Sequence, residues 1–183
     1  MSRIYTRTGD DGTTGLFLGG RVSKGDELVD AYGDVDEAVA LLGVARCASA
    51  DPQLADLLLR LQREMFVVGS DLAANPDRRD RLTAGVSLVT PAMISELETL
   101  IDRLVAERPL RPVFVVPGTT ATGAAIDHAR TVARRAERHV VRAQVCGHAV
   151  SQDALRYLNR LSDLLFVLAR HAAGEVEEPA SRA

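Results

Sequence analysis

The chain has 183 residues, 46% hydrophobic and 26% charged, which fits one globular domain and excludes disordered and fibrous classes. Its net charge of −3 and pI near 5.8 argue against a general nucleic-acid binder. An aromatic content of 4%, with no tryptophan, removes the stacking platform of a single-strand binder.

Residues 1–25 carry Gly9, Gly12, Gly15, Gly19, Gly20 and Gly25 among Thr and Asp, which predicts a loop, or a loop with a short hairpin. From about Leu28, the residues Val35, Ala38, Val39, Leu42 and Ala45 recur at helical spacing to about Ala48. Asp51-Pro52 reads as an N-cap with proline at the first helical position. Leu54, Leu57, Leu58, Leu61, Met65 and Val68 then stripe a second helix ending near Ala73. The polar stretch 75–88 reads as a surface loop. Thr90-Pro91 opens a third helix, striped by Ile94, Leu97, Ile101, Leu104 and Val105 and stopped by Pro109 and Pro112. Val113-Phe114-Val115-Val116 is too short for a helix and runs into Pro117-Gly118. A fourth helix is predicted from about Ala121 to Cys146, with Gly147 as its stop. Ser151 caps a fifth, which holds Leu155, Leu158, Leu161, Leu165 and Leu168 and ends at Gly174. Residues 175–183 form an acidic tail expected to fray. The expected architecture is a single all-α domain. It has a Gly/Thr-rich N-terminal loop (1–25), a bundle of about five helices (26–174) and a disordered tail (175–183).

No apolar run approaches the length of a membrane span, and the N-terminus lacks a signal-peptide core. Cys47 and Cys146 show no CxxC and no metal spacing, so a reduced, cytoplasmic protein is expected. His128, His139, His148 and His171 show no zinc-type spacing either, and no residue set reads as a metal site. No nucleophile signature is present.

Two features point to an anion. On the fourth helix Arg130, Arg134 and Arg138 stand four residues apart on one face, with Arg135 and Arg142 elsewhere around it. From 126 to 142 five Arg oppose only Asp127 and Glu137, and like charges at this spacing weaken a helix. An anionic ligand would explain the stripe; so would a solvated face, or ion pairs to a neighbouring helix. The second feature is the stretch Thr6 to Gly15, whose hydroxyls and unobstructed N–H groups suit phosphate, although it is not a P-loop. Near it lies Lys24, the only lysine among 22 cationic side chains. Asp34, Asp36 and Glu37 have an ordinary reading as favourable charges at a helix start. Asn159, inside the fifth helix, reads as an exposed polar residue or a ligand-facing amide. No residue pattern demands a general base, so catalysis here would rest on positioning and charge stabilisation.

Three stretches together resemble one family. They are Tyr5-Thr6-Arg7-Thr8-Gly9-Asp10-Asp11-Gly12; Phe114-Val115-Val116-Pro117-Gly118 followed by Ala129 through Arg138; and Tyr157-Leu158-Asn159-Arg160-Leu161-Ser162-Asp163. The chain resembles the PduO-type ATP:cob(I)alamin adenosyltransferases in that order over nearly its whole length. One departure is Thr119, where the family usually has a second glycine after the proline.

The resemblance implies a homotrimer of helical bundles with active sites between subunits, binding ATP with Mg²⁺ and then cobalamin. Cob(I)alamin attacks the 5′ carbon of ATP, giving adenosylcobalamin and triphosphate. It further implies that Thr6, Arg7, Thr8, Gly9, Thr14, Gly15 and Lys24 hold phosphates and nucleotide. Arg134, Arg135, Ala136, Glu137, Arg138 and Asn159 complete the ATP site. Asp36 pairs with Arg130 across the subunit boundary, and Phe114 displaces the lower axial base of cobalamin. A flavin-type reductase and a B12-dependent enzyme are the implied protein partners. The second reading is a non-catalytic nucleotide- or corrinoid-binding bundle; a purely structural trimerising bundle would leave the loop, Lys24 and the Arg stripe unexplained.

Overall fold

Capping side chains set where the helices begin. In the computed structural model, which describes residues 4–174 and 177–181, five α-helices follow one another. Asp26 accepts a bond from the Leu28 N–H at 2.9 Å and opens α1, Glu27–Ala48. Asp51 caps α2, Pro52–Leu72, through Gln53 N–H at 2.8 Å. Thr90 opens α3, Pro91–Glu107; Thr120 opens α4, Ala121–Val145; Ser151 opens α5, Gln152–Ala173. Gly174 ends α5 at φ 73°, where a side chain would be strained. The all-α bundle expected from the sequence is what forms. None of the described helices is long and apolar enough to cross a membrane.

The helices run up and down. α1 packs between α2 and α4, α4 packs between α1 and α5, and α3 lies against α5. Their inner faces supply Leu42, Leu58, Leu61, Met65, Ile126, Leu158, Leu161 and Leu165, all fully buried. On α4 four of the nine buried residues are alanine (Ala129, Ala133, Ala136, Ala143), and such small side chains let neighbouring helices approach closely. At Gly123 a Cβ would lie 3.2 Å from the Ala169 carbonyl, so glycine is what admits α5 there.

Tyr157 is fully buried on α5, and its hydroxyl donates to Glu64 Oε2 at 2.6 Å. Arg60 holds the other Glu64 oxygen at 2.9 Å. Burial, and then the Glu64 charge, push the Tyr157 phenol well above its usual range. Tyr157→Phe is expected to lower stability by about 1–3 kcal/mol, read as a lower urea midpoint at unchanged slope. Because folding raises this pKa, the stabilisation is complete below the unfolded tyrosine value of about 10 and is lost as pH rises above it. The variant should therefore show a smaller alkaline loss of stability than the parent.

The N-terminal segment forms the hairpin half of its expectation: β1, Thr13–Gly15, pairs antiparallel with β2, Arg21–Ser23, with Thr14 opposite Val22. Phe17 exchanges backbone bonds with Ala73 and Asn75, both 2.9 Å, which fix the hairpin to the end of α2. The 75–88 stretch is more ordered than a polar loop need be. It contains a 3-10 helix, Pro76–Arg81, tied down by the buried carboxylate of Asp71, which takes Arg79 and the Val89 N–H.

Two expectations need correction. Residues 177–181 of the tail are not frayed. Val116 N–H donates to the Glu178 carbonyl and Ala180 N–H to the Phe114 carbonyl, both 2.8 Å, so the tail forms an antiparallel bridge with the 113–116 stretch. The physical reason is Arg170, a buried cation on α5 that takes Glu177 as its counterion at 2.6 Å. Residues 175, 176, 182 and 183 lie outside the described residues. Second, α1 starts at Glu27, so Asp34 and Glu37 are about two and three turns inside it, beyond the reach of its N-terminal dipole. They meet α4 instead: Arg135 Nε donates to Asp34 Oδ1 at 3.0 Å and the same guanidinium pairs with Glu37. His139 Nδ1 lies 2.8 Å from the other Asp34 oxygen.

Candidate active site

Residues of α3, α4 and α5 line an open cavity of about 660 Å³ at the surface. Arg130 and Arg134 enter it from α4, Arg160 and Phe166 from α5, and Glu98 and Asp102 from α3. Arg130 is aimed by Asp127, one turn earlier on the same helix, through a 3.0 Å bond from Nε, and its guanidinium lies 5.9 Å from the Phe166 ring centroid. A chain of polar bonds crosses the three helices beside it. Asn159 Nδ2 donates to Glu137 Oε1 at 2.8 Å, Arg160 donates to Asn159 Oδ1 at 3.3 Å, and Arg160 Nε donates to Glu98 at 2.8 Å. Arg134 differs from its neighbours: it is exposed, and among the described residues its guanidinium has no carboxylate partner.

The α4 stripe therefore divides. Arg130 and Arg135 are satisfied by ion pairs, as the plain reading allows, whereas Arg134 and Arg138 are left for something else. The Arg138 side chain reaches only the Arg134 carbonyl, at 3.2 Å. A larger groove of about 1060 Å³ lies between α2 and α3, but its arginines face carboxylates, Arg60 with Glu64 at 2.9 Å and Arg103 with Glu107 at 3.8 Å. Unpaired positive charge selects the smaller cavity as the place for an anion.

A second cationic feature sits at the start of α1. Thr6, Arg7, Thr8 and Gly9 form an exposed turn with Arg7 at φ 61° and the two threonine hydroxyls 2.8 Å apart. Lys24 bends over it, and Nζ donates to the Gly9 carbonyl at 2.9 Å. A Cβ on Gly9 would come within 3.3 Å of that ammonium and 3.2 Å of the Thr13 carbonyl, so the loop needs glycine to hold the lysine close. Asp11 accepts from the Thr13 hydroxyl and N–H at 2.7 and 2.9 Å, and these bonds hold its carboxyl below the usual range. Thr14 and Gly15 continue along β1 beside this turn.

No contact among the described residues joins this loop to Arg134, Arg138 or Asn159. One chain presents two cationic half-sites on different parts of its surface. Asp36 likewise is exposed with no partner among the described residues, and Arg130 pairs with Asp127 rather than with Asp36 in the same chain. Phe114 is 88% exposed on the extended segment, with Val113 and Val116 half-exposed beside it. Of the α4 and α5 residues expected at the ATP site only Arg134 lines the cavity; Glu137, Arg138 and Asn159 lie beside it, and Arg135 and Ala136 are turned elsewhere. Arg135 is held against α1, its Asp34 bond raising the guanidinium pKa further. Ala136 is buried in the core.

Sequence reasoning missed Asp127, Phe166, Arg170 and Glu177. Asp127 was accessible through its spacing of three from Arg130, whereas Glu177 becomes a partner only when the tail folds back. Nor does the spacing of the histidines foretell that His148 Nε2 lies 3.6 and 3.5 Å from Asp26 and Glu27. The Glu27 backbone N–H, the Cys146 thiol and His148 together hold the Glu27 carboxyl low.

The family model for cobalamin adenosyltransferase matches residues 4–172. A corrinoid adenosyltransferase of Citrobacter freundii is 42% identical over 172 residues, covering 93% of this chain and 94% of the relative. The PduO corrinoid adenosyltransferase of Salmonella typhimurium is 40% identical over 185 residues, which cover 98% of this chain and 54% of that longer protein. Among solved structures, a PduO-type ATP:corrinoid adenosyltransferase from Lactobacillus reuteri, a phenylalanine-to-alanine variant complexed with cobalamin and ATP, superposes with a TM-score of 0.88. It is 31% identical, with 98% of this chain and 100% of that one covered. With the family model spanning residues 4–172 and a relative 42% identical covered over 94% of its length, this chain belongs to the cobalamin adenosyltransferase family.

Proposed function

We propose that the two half-sites are one site in the assembled protein, and that it transfers the 5′-deoxyadenosyl group of ATP to the cobalt of cob(I)alamin. The observation that carries this is Arg134, which lines the α3–α4–α5 pocket and makes no ion pair among the described residues, although Glu98, Asp102 and Asp163 line the same pocket. In a homotrimer the loop of one subunit, with Thr6 to Gly9, Thr14, Gly15 and Lys24, meets Arg134, Arg138, Glu137 and Asn159 of the next. Cyclic assembly repeats that contact at each boundary. The exposed Asp36 then faces Arg130 of the neighbour, whose terminal nitrogens remain open because Asp127 takes Nε.

The chemistry needs little beyond charge. The cobalt lone pair forms the Co–C5′ bond, the C5′–O bond breaks, and triphosphate leaves with that electron pair. No proton moves, in keeping with the missing general base. Arg134 and Lys24 stabilise the charge that grows on the leaving oxygen. Mg²⁺ suits the triphosphate, since it asks for one or two carboxylates beside phosphate oxygens. Glu137 fits: Asn159 occupies one of its oxygens, and the other has no partner among the described residues. Phe114 lies against the lower face of the corrinoid and keeps water and axial ligands off cobalt. A flavin-type reductase upstream and a B12-dependent enzyme downstream complete the setting, in the cytoplasm.

Prereduced cob(I)alamin mixed with MgATP and the protein should convert to the adenosylcobalamin spectrum, with one triphosphate released per turnover. Binding of both compounds without conversion would instead establish the non-catalytic bundle. Lys24→Ala and Arg134→Ala should each cost about 1.5–3 kcal/mol, roughly ten- to a hundredfold in MgATP affinity or turnover. Unchanged MgATP kinetics in both would overturn the assignment.

A further inference from the structure

A line of buried charge runs from the C-terminal tail to the cavity. Glu177 contacts Arg170 Nε at 2.6 Å, Arg170 donates to Asp127 Oδ2, and Asp127 Oδ1 accepts from Arg130 Nε at 3.0 Å. Glu177, Arg170 and Asp127 are 8%, 7% and 3% exposed, so the line is sheltered from solvent until it reaches Arg130. Arg170 also lies over the Phe166 ring at 5.1 Å, the same ring that Arg130 approaches.

Glu177 sits in the segment that pairs with Phe114. Besides the two strand-like bonds to Phe114 and Val116, the segment ahead of Phe114 grips the tail and the end of α5 through arginines. Arg111 donates to the Glu177 carbonyl at 3.0 Å, and Arg108 donates to the carbonyls of Arg170, at 2.8 Å, and Gly174. Few apolar contacts hold the exposed Phe114 segment, so its direction is set by these bonds.

Resting on the proposed function, we infer that Glu177 is a positioning residue for the reaction. Its carboxylate fixes Arg130 through Arg170 and Asp127, and its backbone segment fixes Phe114. A row of two carboxylates and two cations, buried except at Arg130, adds little net stability compared with apolar packing, but here it ties each member to the next. Without the Glu177 charge, Arg170 draws Asp127 toward itself and the Asp127–Arg130 bond loosens.

The test separates the two arms. Glu177→Gln keeps size and backbone pairing and removes only the charge. A chain ending at Gly174 removes both. Glu177→Asp restores the charge. In the assembled protein, Glu177→Gln should lower turnover about tenfold with ATP KM within about twofold, and Glu177→Asp should recover part of it. Corrinoid affinity, read by titration without turnover, should show Glu177→Gln and Arg130→Lys to be non-additive. The chain ending at Gly174 should in addition lose the four-coordinate cob(II)alamin spectrum in the presence of ATP. Additive effects on corrinoid affinity with unaltered turnover in Glu177→Gln would overturn the Arg130 arm. A full four-coordinate signal in the shortened chain would overturn the Phe114 arm. Coupled binding in a protein that never adenosylates would refute the proposed reaction and leave the positioning role standing.

Discussion

Phe114→Ala is expected to leave the fold intact and to remove most of the activity that depends on reducing cobalt on the protein. The fold survives because the side chain is 88% exposed and contributes almost nothing to the core. Exposed substitutions of this kind usually change stability by less than about 0.5 kcal/mol. The activity falls because the ring finds its apolar contact only when the corrinoid arrives. Burying a phenylalanine contributes about 1.5–3 kcal/mol, so its loss corresponds to roughly ten- to a hundredfold. In the proposed site the same ring would keep coordinating groups from the lower face of cobalt, where an axial ligand raises the orbital that must accept the electron. ATP affinity should stay near the parent value, the four-coordinate cob(II)alamin spectrum should disappear, and prereduced cob(I)alamin should rescue part of the rate. A variant that forms four-coordinate cob(II)alamin as well as the parent would return Phe114 to the status of an ordinary surface residue.

The second large effect is expected at Arg130. It bonds to Asp127 of its own chain, and in the proposed trimer it also meets Asp36 of the neighbour. Asp127 is only 3% exposed, so removing the cation leaves a buried charge with Arg170 alone. Breaking one partner out of a buried pair costs about 3–5 kcal/mol of stability, and at this half-open position the lower end applies; turnover should fall as well, because the proposed contact with Asp36 is lost. Arg130→Asp should be worse than Arg130→Ala, because it sets a carboxylate beside Asp127. Adding Asp36→Arg should restore part of the loss and not all of it, since the new guanidinium meets the carboxylate introduced at position 130 but cannot relieve Asp127. Strictly additive effects of the two changes would mean that positions 36 and 130 never meet.

The helices were legible because their signals are local. Asp26, Asp51, Thr90, Thr120 and Ser151 are cap residues in front of striped segments, and each caps the helix that follows it. The Arg stripe and the Lys24 loop were legible as charge and glycine patterns. What the sequence hid is pairing at long range. Whether an α4 arginine is free or satisfied depends on what α1 and α5 bring to it, so Arg134 and Arg135, adjacent in sequence, end with opposite fates. The tail reads as frayed because nothing in its own composition holds it; its anchor is Arg170, on the preceding helix, together with the free edge of the 113–116 segment. Asp34 and Glu37 read as helix-start charges although the helical pattern already begins near Leu28; their partner, Arg135 of α4, is about a hundred residues away and invisible to local patterning.

Loop and cavity from different subunits should make one adenosylating site, and mixing subunits tests this directly. Lys24→Ala subunits and Arg134→Ala subunits, each nearly inactive alone, are unfolded together, reassembled in equal amounts and assayed with prereduced cob(I)alamin and MgATP. In a shared site, the intact loop of one variant meets the intact cavity of the other at about a quarter of the boundaries of a randomly mixed ring. Recovery of roughly that fraction of parental turnover is the expected result. Reassembled mixtures no more active than the separate variants would contradict it, because loop and cavity would then have to come from the same chain.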